Sequence, residues 1–207
     1  MATDEKYFNI TDDGVVSLKP EYQYDGSKNA ELPEHVIIPD AVGEIPVTAL
    51  AQKMFIYNLA VKRVTIPSTI TELPVYFAYG AKNLKEVQNA ENVTKLSDGA
   101  FYQSGITKAL FPNLGEIGVA VFGLCPFLLI ADLGSKITAL SYQAFARCDK
   151  LHTLRAGAVT SIAEYALQST RRLKNPAFLP NLTTVGAFGL YGSRVNYDWS
   201  SLTGCDF

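Results

Sequence analysis

The stretch that decides the fold is residues 137–154, ITALSYQAFARCDKLHTL, because the chain repeats its pattern. An apolar anchor, Leu140, is followed five positions later by Phe145, then after three more by the small Cys148 and after another three by Leu151. Recurrence of one such pattern at a fixed spacing is the signature of a repeat architecture. The six anchors, spaced 21 to 23 residues apart, are Leu73, Leu96, Ile117, Leu140, Ile162 and Val185.

One unit of this length cannot bury its apolar face alone, so neighbouring units must stack into a continuous core. Apolar and polar residues alternate in segments such as Val64–Pro67, which is typical of a short strand. Stacked strands of this kind pair in parallel. The sequence therefore predicts a repeat solenoid with one short parallel strand in each 22–23-residue repeat.

The large residue that follows each anchor is preceded by a small one in most copies, as in Ala144–Phe145. This pairing favours a tight turn or a short helical segment opposite the strand. The copy that begins at Leu73 differs, because Ala78 stands at the large position and Phe77 comes one place early. We expect the packing of that copy to differ from the others.

The stretches LPEHVIIPDAVGEIPVTAL (32–50), VKRVTIPSTITEL (61–73) and ITALSYQAFARCDKLHTL (137–154) resemble the BspA-type leucine-rich repeat. The resemblance covers residues 35–196 and implies a right-handed leucine-rich-repeat coil. Members of this family are often bacterial surface or secreted adhesins, and similar repeats occur in phage and protist proteins. The family has no catalytic motif, so the resemblance implies a non-enzymatic protein without a cofactor.

Residues 1–34 lie outside the repeat and are expected to form an N-terminal cap. Tyr7–Ile10 and Val15–Leu18 flank Asp13–Gly14, which is the turn signal of a β-hairpin. The first repeat unit is long and atypical, and we expect a short helix before Ala60. Residues 35–196 then form the solenoid, and residues 197–207 form a C-terminal strand and tail.

The charge and hydropathy of the chain exclude some classes of partner. With 18 basic and 20 acidic residues, the net charge of -2 gives no reason to expect nucleic acid. No run of 18 apolar residues is present, so we expect no membrane insertion. The first residues, MATDEKYFNITDDG, lack the apolar core of a signal peptide. As written, the chain is expected in the cytoplasm or on a particle, and at the cell surface if a precursor or another export route exists.

The residues that most often carry chemistry do not form a recognisable set. His35 and His152 belong to no metal-ligand or catalytic spacing, and we expect His152 at the surface beside a strand. Residues 115–118 predict a turn between repeats and not a phosphate loop. Cys125 and Cys148 occupy equivalent positions in adjacent repeats. They are either a disulfide or metal pair, or small groups that fill a buried position, and the second interpretation is favoured because Ala81, Ser104, Thr170 and Ser193 also occupy it.

The strand residues that point away from the core predict a binding surface on the concave face. The predicted concave lane comprises Arg63, Glu86, Gln88, Lys108, Leu110, Ile130, Asp132, Arg155, Tyr197 and Trp199. Its mixed charges and exposed apolar residues favour a protein or glycan ligand. Adhesion or host-surface recognition is therefore the first functional hypothesis, and a structural part of a phage tail or another particle is the alternative.

Two further expectations concern the other surfaces. Tyr79, Tyr102 and Tyr191 follow the large buried position and are expected to lie half-buried on the convex side. The C-terminal edge of the stack has a neighbour on one side only, so Val185 and Leu190 would face solvent unless something covers them. We expect a weak homo-oligomer or another partner at that edge.

Overall fold

The structure is a computed structural model, and it describes residues 5–25, 31–174 and 181–195. These residues form a solenoid. Each coil of the solenoid, which corresponds to one repeat, adds two short strands to those of the coil before it. The strands of the described residues are, in chain order, β1 (Phe8–Ile10), β2 (Val15–Leu18), β3 (His35–Ile37), β4 (Ala41–Val42), β5 (Ile45–Pro46), β6 (Ala49–Leu50), β7 (Arg63–Thr65), β8 (Glu72–Leu73), β9 (Glu86–Gln88), β10 (Lys95–Leu96), β11 (Lys108–Leu110), β12 (Glu116–Ile117), β13 (Ile130–Asp132), β14 (Ala139–Leu140), β15 (Thr153–Arg155), β16 (Ser161–Ile162) and β17 (Thr184–Val185).

The three-residue strands confirm the predicted parallel ladder. The strands β3, β7 and β9 pair in parallel, and so do β11, β13 and β15. The Thr107 N–H donates to the Lys85 carbonyl at 2.9 Å, which holds β11 beside β9 where the two ladders meet. In each strand the middle residue is buried and its neighbours are more exposed. We call the surface formed by β3, β7, β9, β11, β13 and β15 the strand face.

The predicted parallel strand of each repeat is present, and the coil also carries a second parallel ladder that was not predicted. Two-residue strands pair as β8–β10–β12 and as β14–β16–β17. The apolar anchors lie on these strands, each preceded by an exposed or half-buried residue. Residues 115–118, predicted to be a turn between repeats, contain strand β12 of this ladder. A two-residue strand is too short for an alternating pattern to be visible in the sequence.

The core is a column of stacked large side chains. Phe101, Phe122 and Phe145 are fully buried, and their rings stack at centroid distances of 5.4 and 5.1 Å. Each fully buried residue of this size stabilises the fold by roughly 1.5–3 kcal/mol. The core therefore runs without interruption from one coil to the next.

The copy that begins at Leu73 does pack differently, as predicted. Phe77 lies between Phe55 and Phe101, with centroid distances of 5.3 and 6.0 Å, and Ala78 occupies the position that is large in other copies. Both Phe77 and Ala78 are completely buried. The large and small side chains have exchanged places while the column stays filled.

The segments opposite the strand face are turns and not helices. In the coil of Phe145, the N–H groups of Gln143, Phe145 and Arg147 donate to carbonyls of the next coil at 3.2, 2.8 and 2.7 Å. Alternate N–H groups are thus committed to a neighbouring coil, so the bonds of an α-helix cannot form. The short helix expected before Ala60 is absent for this reason, since residues 52–57 are a turn with the same bonding.

Each of these turns holds two residues in the left-handed region, four positions apart. Gln143 has φ 54° and Arg147 has φ 58°, and equivalent pairs recur in the other coils. A residue with a side chain loses roughly 1–2 kcal/mol in this conformation. The bonds between coils must offset that cost. We call the surface formed by residues 52–57, 75–80, 98–103, 119–124, 142–147, 164–169 and 187–192 the turn face.

The N-terminal hairpin is confirmed. Strands β1 and β2 pair antiparallel, with Phe8 opposite Leu18, and Gly14 closes the turn with φ +87°. Strand β2 then pairs in parallel with β6, so the hairpin covers the first coil as expected. Within the described ranges, no helix is long and apolar enough to cross a membrane.

At the other end of the stack, Val185 and Leu190, which were expected to face solvent unless covered, are both buried. Tyr191 beside them is 64% exposed. The predicted strand and tail at residues 197–207 lie outside the described residues.

Candidate functional site

The strand face brings together eight residues of the predicted concave lane. The ladder register aligns Arg63 with Glu86 and Thr65 with Gln88, and it aligns Asp132 with Arg155. Two parallel rows of outward side chains result. The described lane residues in these rows are Arg63, Glu86, Gln88, Lys108, Leu110, Ile130, Asp132 and Arg155. The other two predicted members, Tyr197 and Trp199, lie outside the described residues.

The N-terminal part of the strand face is a connected polar network. The Arg63 Nε lies 3.1 Å from Glu86 Oε1, and Gln88 Nε2 donates to the same oxygen at 2.9 Å. Thr65 Oγ1 donates to Gln88 Oε1 at 3.2 Å and lies 2.9 Å from His35 Nε2. Burial, and then the positive charge of Arg63, lower the pKa of His35 from its usual value. These side chains are already oriented by one another before any ligand arrives.

The C-terminal part holds a second ion pair. Arg155 Nη1 lies 3.3 Å from Asp132 Oδ2, and the other carboxylate oxygen accepts the Gly134 N–H at 3.1 Å. The backbone bond fixes Asp132, whereas the Arg155 side chain is 70% exposed. An exposed pair of this kind contributes little to stability, so its guanidinium stays available to a partner.

Between these two polar groups the face carries apolar side chains beside one lysine. Leu110 is 48% exposed, and Ile130 on the neighbouring strand is half-buried. Lys108, two residues before Leu110, forms no salt bridge within the part of the chain that the structure describes. A large exposed apolar residue inside a polar frame has the arrangement of a protein–protein contact.

The sequence also pointed to aromatic residues on the opposite side, and the turn face shows a larger set than predicted. Tyr57, Tyr79 and Tyr102 follow one another along the axis at centroid distances of 5.3 Å. Tyr79 and Tyr102 are half-buried, as expected, whereas Tyr191 is mostly exposed. Burial, followed by a hydrogen bond with Tyr57, raises the pKa of Tyr79.

Glycines in the next coil make room for these rings. A Cβ atom at Gly80 would lie 2.3 Å from the Tyr57 ring, and one at Gly99 would lie 2.6 Å from the Tyr76 ring. Both glycines also have positive φ angles, of 67° and 59°. A tyrosine followed about 23 residues later by a glycine is a signal that could have revealed this packing from the sequence.

The cysteines pack as small buried groups. Cys125 and Cys148 are free and fully buried, and each Sγ donates at 3.0 Å to a carbonyl of the preceding coil, that of Phe101 or Phe122. Burial raises the pKa of Cys125 to about 12 and also raises that of Cys148. The two cysteines form no disulfide in the structure, and their complete burial confirms the packing interpretation. Among the described residues, no group of three or more His, Cys, Asp or Glu could hold a metal ion.

Comparison with known proteins agrees with this architecture. The family model of the BspA type leucine rich repeat region matches six copies, over residues 48–174 and 111–197. The chain belongs to the BspA-type leucine-rich-repeat family. The resemblance seen in the sequence is thereby confirmed, and leucine-rich-repeat proteins of this family are generally binding modules.

Solved structures of leucine-rich-repeat proteins share the fold of this BspA-type chain. The T. pallidum leucine-rich-repeat protein TpLRR superposes with a TM-score of 0.81 at 22% identity, over 95% of this chain and 91% of the other. A leucine-rich-repeat protein from Bacteroides ovatus superposes with a TM-score of 0.68 at 20% identity, over 95% of this chain and 57% of the other. A leucine-rich cell surface protein from Faecalibacterium prausnitzii superposes with a TM-score of 0.68 at 24% identity, over 94% of this chain and 54% of the other. No curated protein matches the sequence significantly.

Proposed function

We propose that this chain is a non-enzymatic binding module that engages a protein partner through the strand face, in adhesion at a cell surface. The observation that carries the proposal is Leu110, an apolar side chain that is 48% exposed in the middle of a face on which Glu86 and Asp132 are each paired with an arginine. Exposed apolar groups at the centre of a polar frame are where binding energy concentrates in protein interfaces.

The arrangement of charges on the strand face contributes more to the specificity of binding than to its affinity. The pairs Arg63–Glu86 and Asp132–Arg155 place both signs on either side of Leu110. Mixed signs favour a partner with a complementary pattern over a uniformly charged polymer. Cell-surface adhesion is supported by the similar fold of a protein described as a cell surface protein.

The proposal is tested by Leu110→Asp, with Leu59→Asp as the matched control. Leu59 is 41% exposed, close to Leu110, but it lies between the turn face and the strand face. Binding to immobilised extracellular-matrix proteins and to intact cells is measured by biolayer interferometry and by flow cytometry. Loss of an interface centre typically costs 2 kcal/mol or more, so we expect affinity to fall roughly 30-fold for Leu110→Asp alone.

Two outcomes would contradict the proposal. Equal affinities of Leu110→Asp and Leu59→Asp for the partner would show that the contact lies outside the strand face. If the chain bound purified glycans and Leu110→Asp abolished that binding, the partner of the strand face would be a carbohydrate and not a protein.

A further inference from the structure

The turn face carries a furrow whose chemistry differs from that of the strand face. Three open depressions of about 330, 220 and 320 Å³ adjoin one another there. The first and second share Tyr102 and Gln143, and the second and third share Leu124 and Arg147. Together they form one furrow that runs from Tyr76 in one coil to Arg171 near the last described coils.

The furrow exists because side-chain size changes along one position of the repeat. The first left-handed residue of each turn is Tyr76, Gly99, Ala120 and Gln143 in four successive coils. The two smallest side chains are adjacent, so the floor drops between the tyrosine and the glutamine. Ordinary variation at one repeat position thus produces a walled depression.

The N-terminal end of the furrow is aromatic. Tyr76 and Tyr79 meet edge to face at 5.3 Å, and Tyr79 stacks on Tyr102 at the same distance. Tyr76 is 38% exposed. Rings that are held in place and partly exposed offer apolar faces, and their hydroxyl groups offer hydrogen bonds. The C–H face of a sugar ring is the complementary surface.

Polar groups beside the rings suit the hydroxyls of a sugar. Asp98 accepts the Val119 N–H through Oδ1 at 2.7 Å, which anchors the carboxylate at the rim of the depression. Gln143 lines the same depression and offers both a donor and an acceptor. An aromatic wall with a few fixed polar groups is the usual composition of a small-molecule site.

The C-terminal end of the furrow is basic. Arg147 and Arg171 line it together with Asp149, whose Oδ1 lies 3.6 Å from Arg171 Nε. Across the described ranges, Arg147 forms no ion pair. A guanidinium without a paired acid favours a carboxylate, which it can bind through two parallel hydrogen bonds.

We infer that the turn-face furrow binds an oligosaccharide that carries a carboxylate, with sugar rings on Tyr76 and Tyr102 and the carboxylate on Arg147. A single-stranded nucleic acid would also stack on the rings, but its phosphates would meet the carboxylate of Asp98 at that end. This site is separate from the strand face and does not depend on the function proposed for that face.

Two variants test the site, and a control reproduces the backbone strain that one of them adds. Arg147→Gln removes the charge, and Gln103 already stands at the equivalent position with the same φ of 58°. Gly99→Ala leaves Tyr76 chemically intact but displaces its ring, and the equivalent Ala120 shows that the coil accepts alanine there. Gly43→Ala is the control, because Gly43 has φ +60° but nothing lies within 4 Å of an added Cβ.

The binding experiment uses an array of neutral, sialylated, hexuronate and sulfated oligosaccharides, followed by calorimetry with the best carboxylated oligosaccharide and its methyl ester. We expect the natural protein to prefer the acid to the ester at least tenfold. Arg147→Gln should abolish that preference, Gly99→Ala should weaken the binding of both at least fivefold, and Gly43→Ala and Leu110→Asp should change neither. Circular dichroism confirms that each variant is folded.

The inference is overturned if no carboxylated oligosaccharide binds, or if acid and ester bind equally. It is also overturned if sulfated chains or oligo(dT) bind best and Gly99→Ala has no effect, since general basic attraction would then explain the binding. Loss of glycan binding in Leu110→Asp alone would assign the carbohydrate to the strand face instead.

Discussion

The packing of Phe145 gives the sharpest test of the coil. The side chain is completely buried and stacks on Phe122 at 5.1 Å. The backbone on both sides of it is fixed, because its N–H donates to Ala166 at 2.8 Å and its carbonyl accepts from Cys148 at 3.2 Å. Replacement of Phe145 by alanine therefore leaves a cavity that cannot close. We expect a loss of about 4 kcal/mol, within the 3–5 kcal/mol range for buried phenylalanine.

The control lies three residues earlier in the same coil. Tyr142 is 40% exposed and meets Tyr165 edge to face at 5.9 Å, so Tyr142→Ala should cost about 1 kcal/mol. Urea unfolding followed by circular dichroism gives the two free energies of unfolding. Because repeat arrays can lose cooperativity, hydrogen exchange should be measured in parallel to locate the faster opening around the Phe145 coil. Equal losses for the two variants would refute the assignment of Phe145 to the core column.

Three further predictions concern other parts of the coil. Cys125 and Cys148 should resist a thiol reagent at pH 8 and react only after unfolding, because burial raises both thiol pKa values, that of Cys125 to about 12. The pKa of His35, followed by NMR, should lie below 6.5 and should rise in Arg63→Ala. The unfolded chain binds a proton at His35 more readily than the folded chain does. The contribution of His35 to stability should therefore be complete above pH 6.5 and should decline as the pH falls below that value. Removal of residues 197–207 should lower the melting temperature and increase self-association in light scattering, and two monomeric proteins with equal melting points would contradict a contact site at the C-terminal edge.

The core of the fold was predictable because its signal is redundant. Leu140, Phe145 and Leu151 and their counterparts are each fixed by burial, so the same residue types return at the same spacing. The N-terminal hairpin was predictable from a different source, the turn chemistry of Asp13–Gly14. In both cases a local physical requirement leaves a mark on the residue type.

The second ladder and the turns were not predictable in the same way. Strands such as Lys95–Leu96 have one inward residue each and no alternation to detect. The left-handed positions are filled by residues as different as Tyr76, Ala120 and Gln143, because bonds to the next coil hold the backbone there. When the constraint comes from neighbouring coils, the residue type at the position itself carries little information.

The candidate surfaces show the same division. Alternation along the strands placed Arg63, Glu86, Leu110 and Arg155 on one face correctly. The sequence could not show that Glu86 is already shared by two partners, since that depends on side-chain distances across strands. The aromatic residues of the turn-face furrow were visible in the sequence, but its shape was not, because its walls come from residues in several coils.

The exchange of Phe77 and Ala78 bears on how such an array can change by recombination. Coils with the small residue first, such as Ala100–Phe101, present their large side chain one place later along the chain than this coil does. Phe77 nevertheless packs against Phe101 of such a coil at 6.0 Å, so the column accepts coils of either order as neighbours. A change in only one of the two residues, Phe77 or Ala78, would leave two large or two small groups side by side, and overpacking or a void would cost on the order of 1–3 kcal/mol or more. Whole coils can therefore be recombined at this point, whereas the Phe77–Ala78 pair can change only at both positions together.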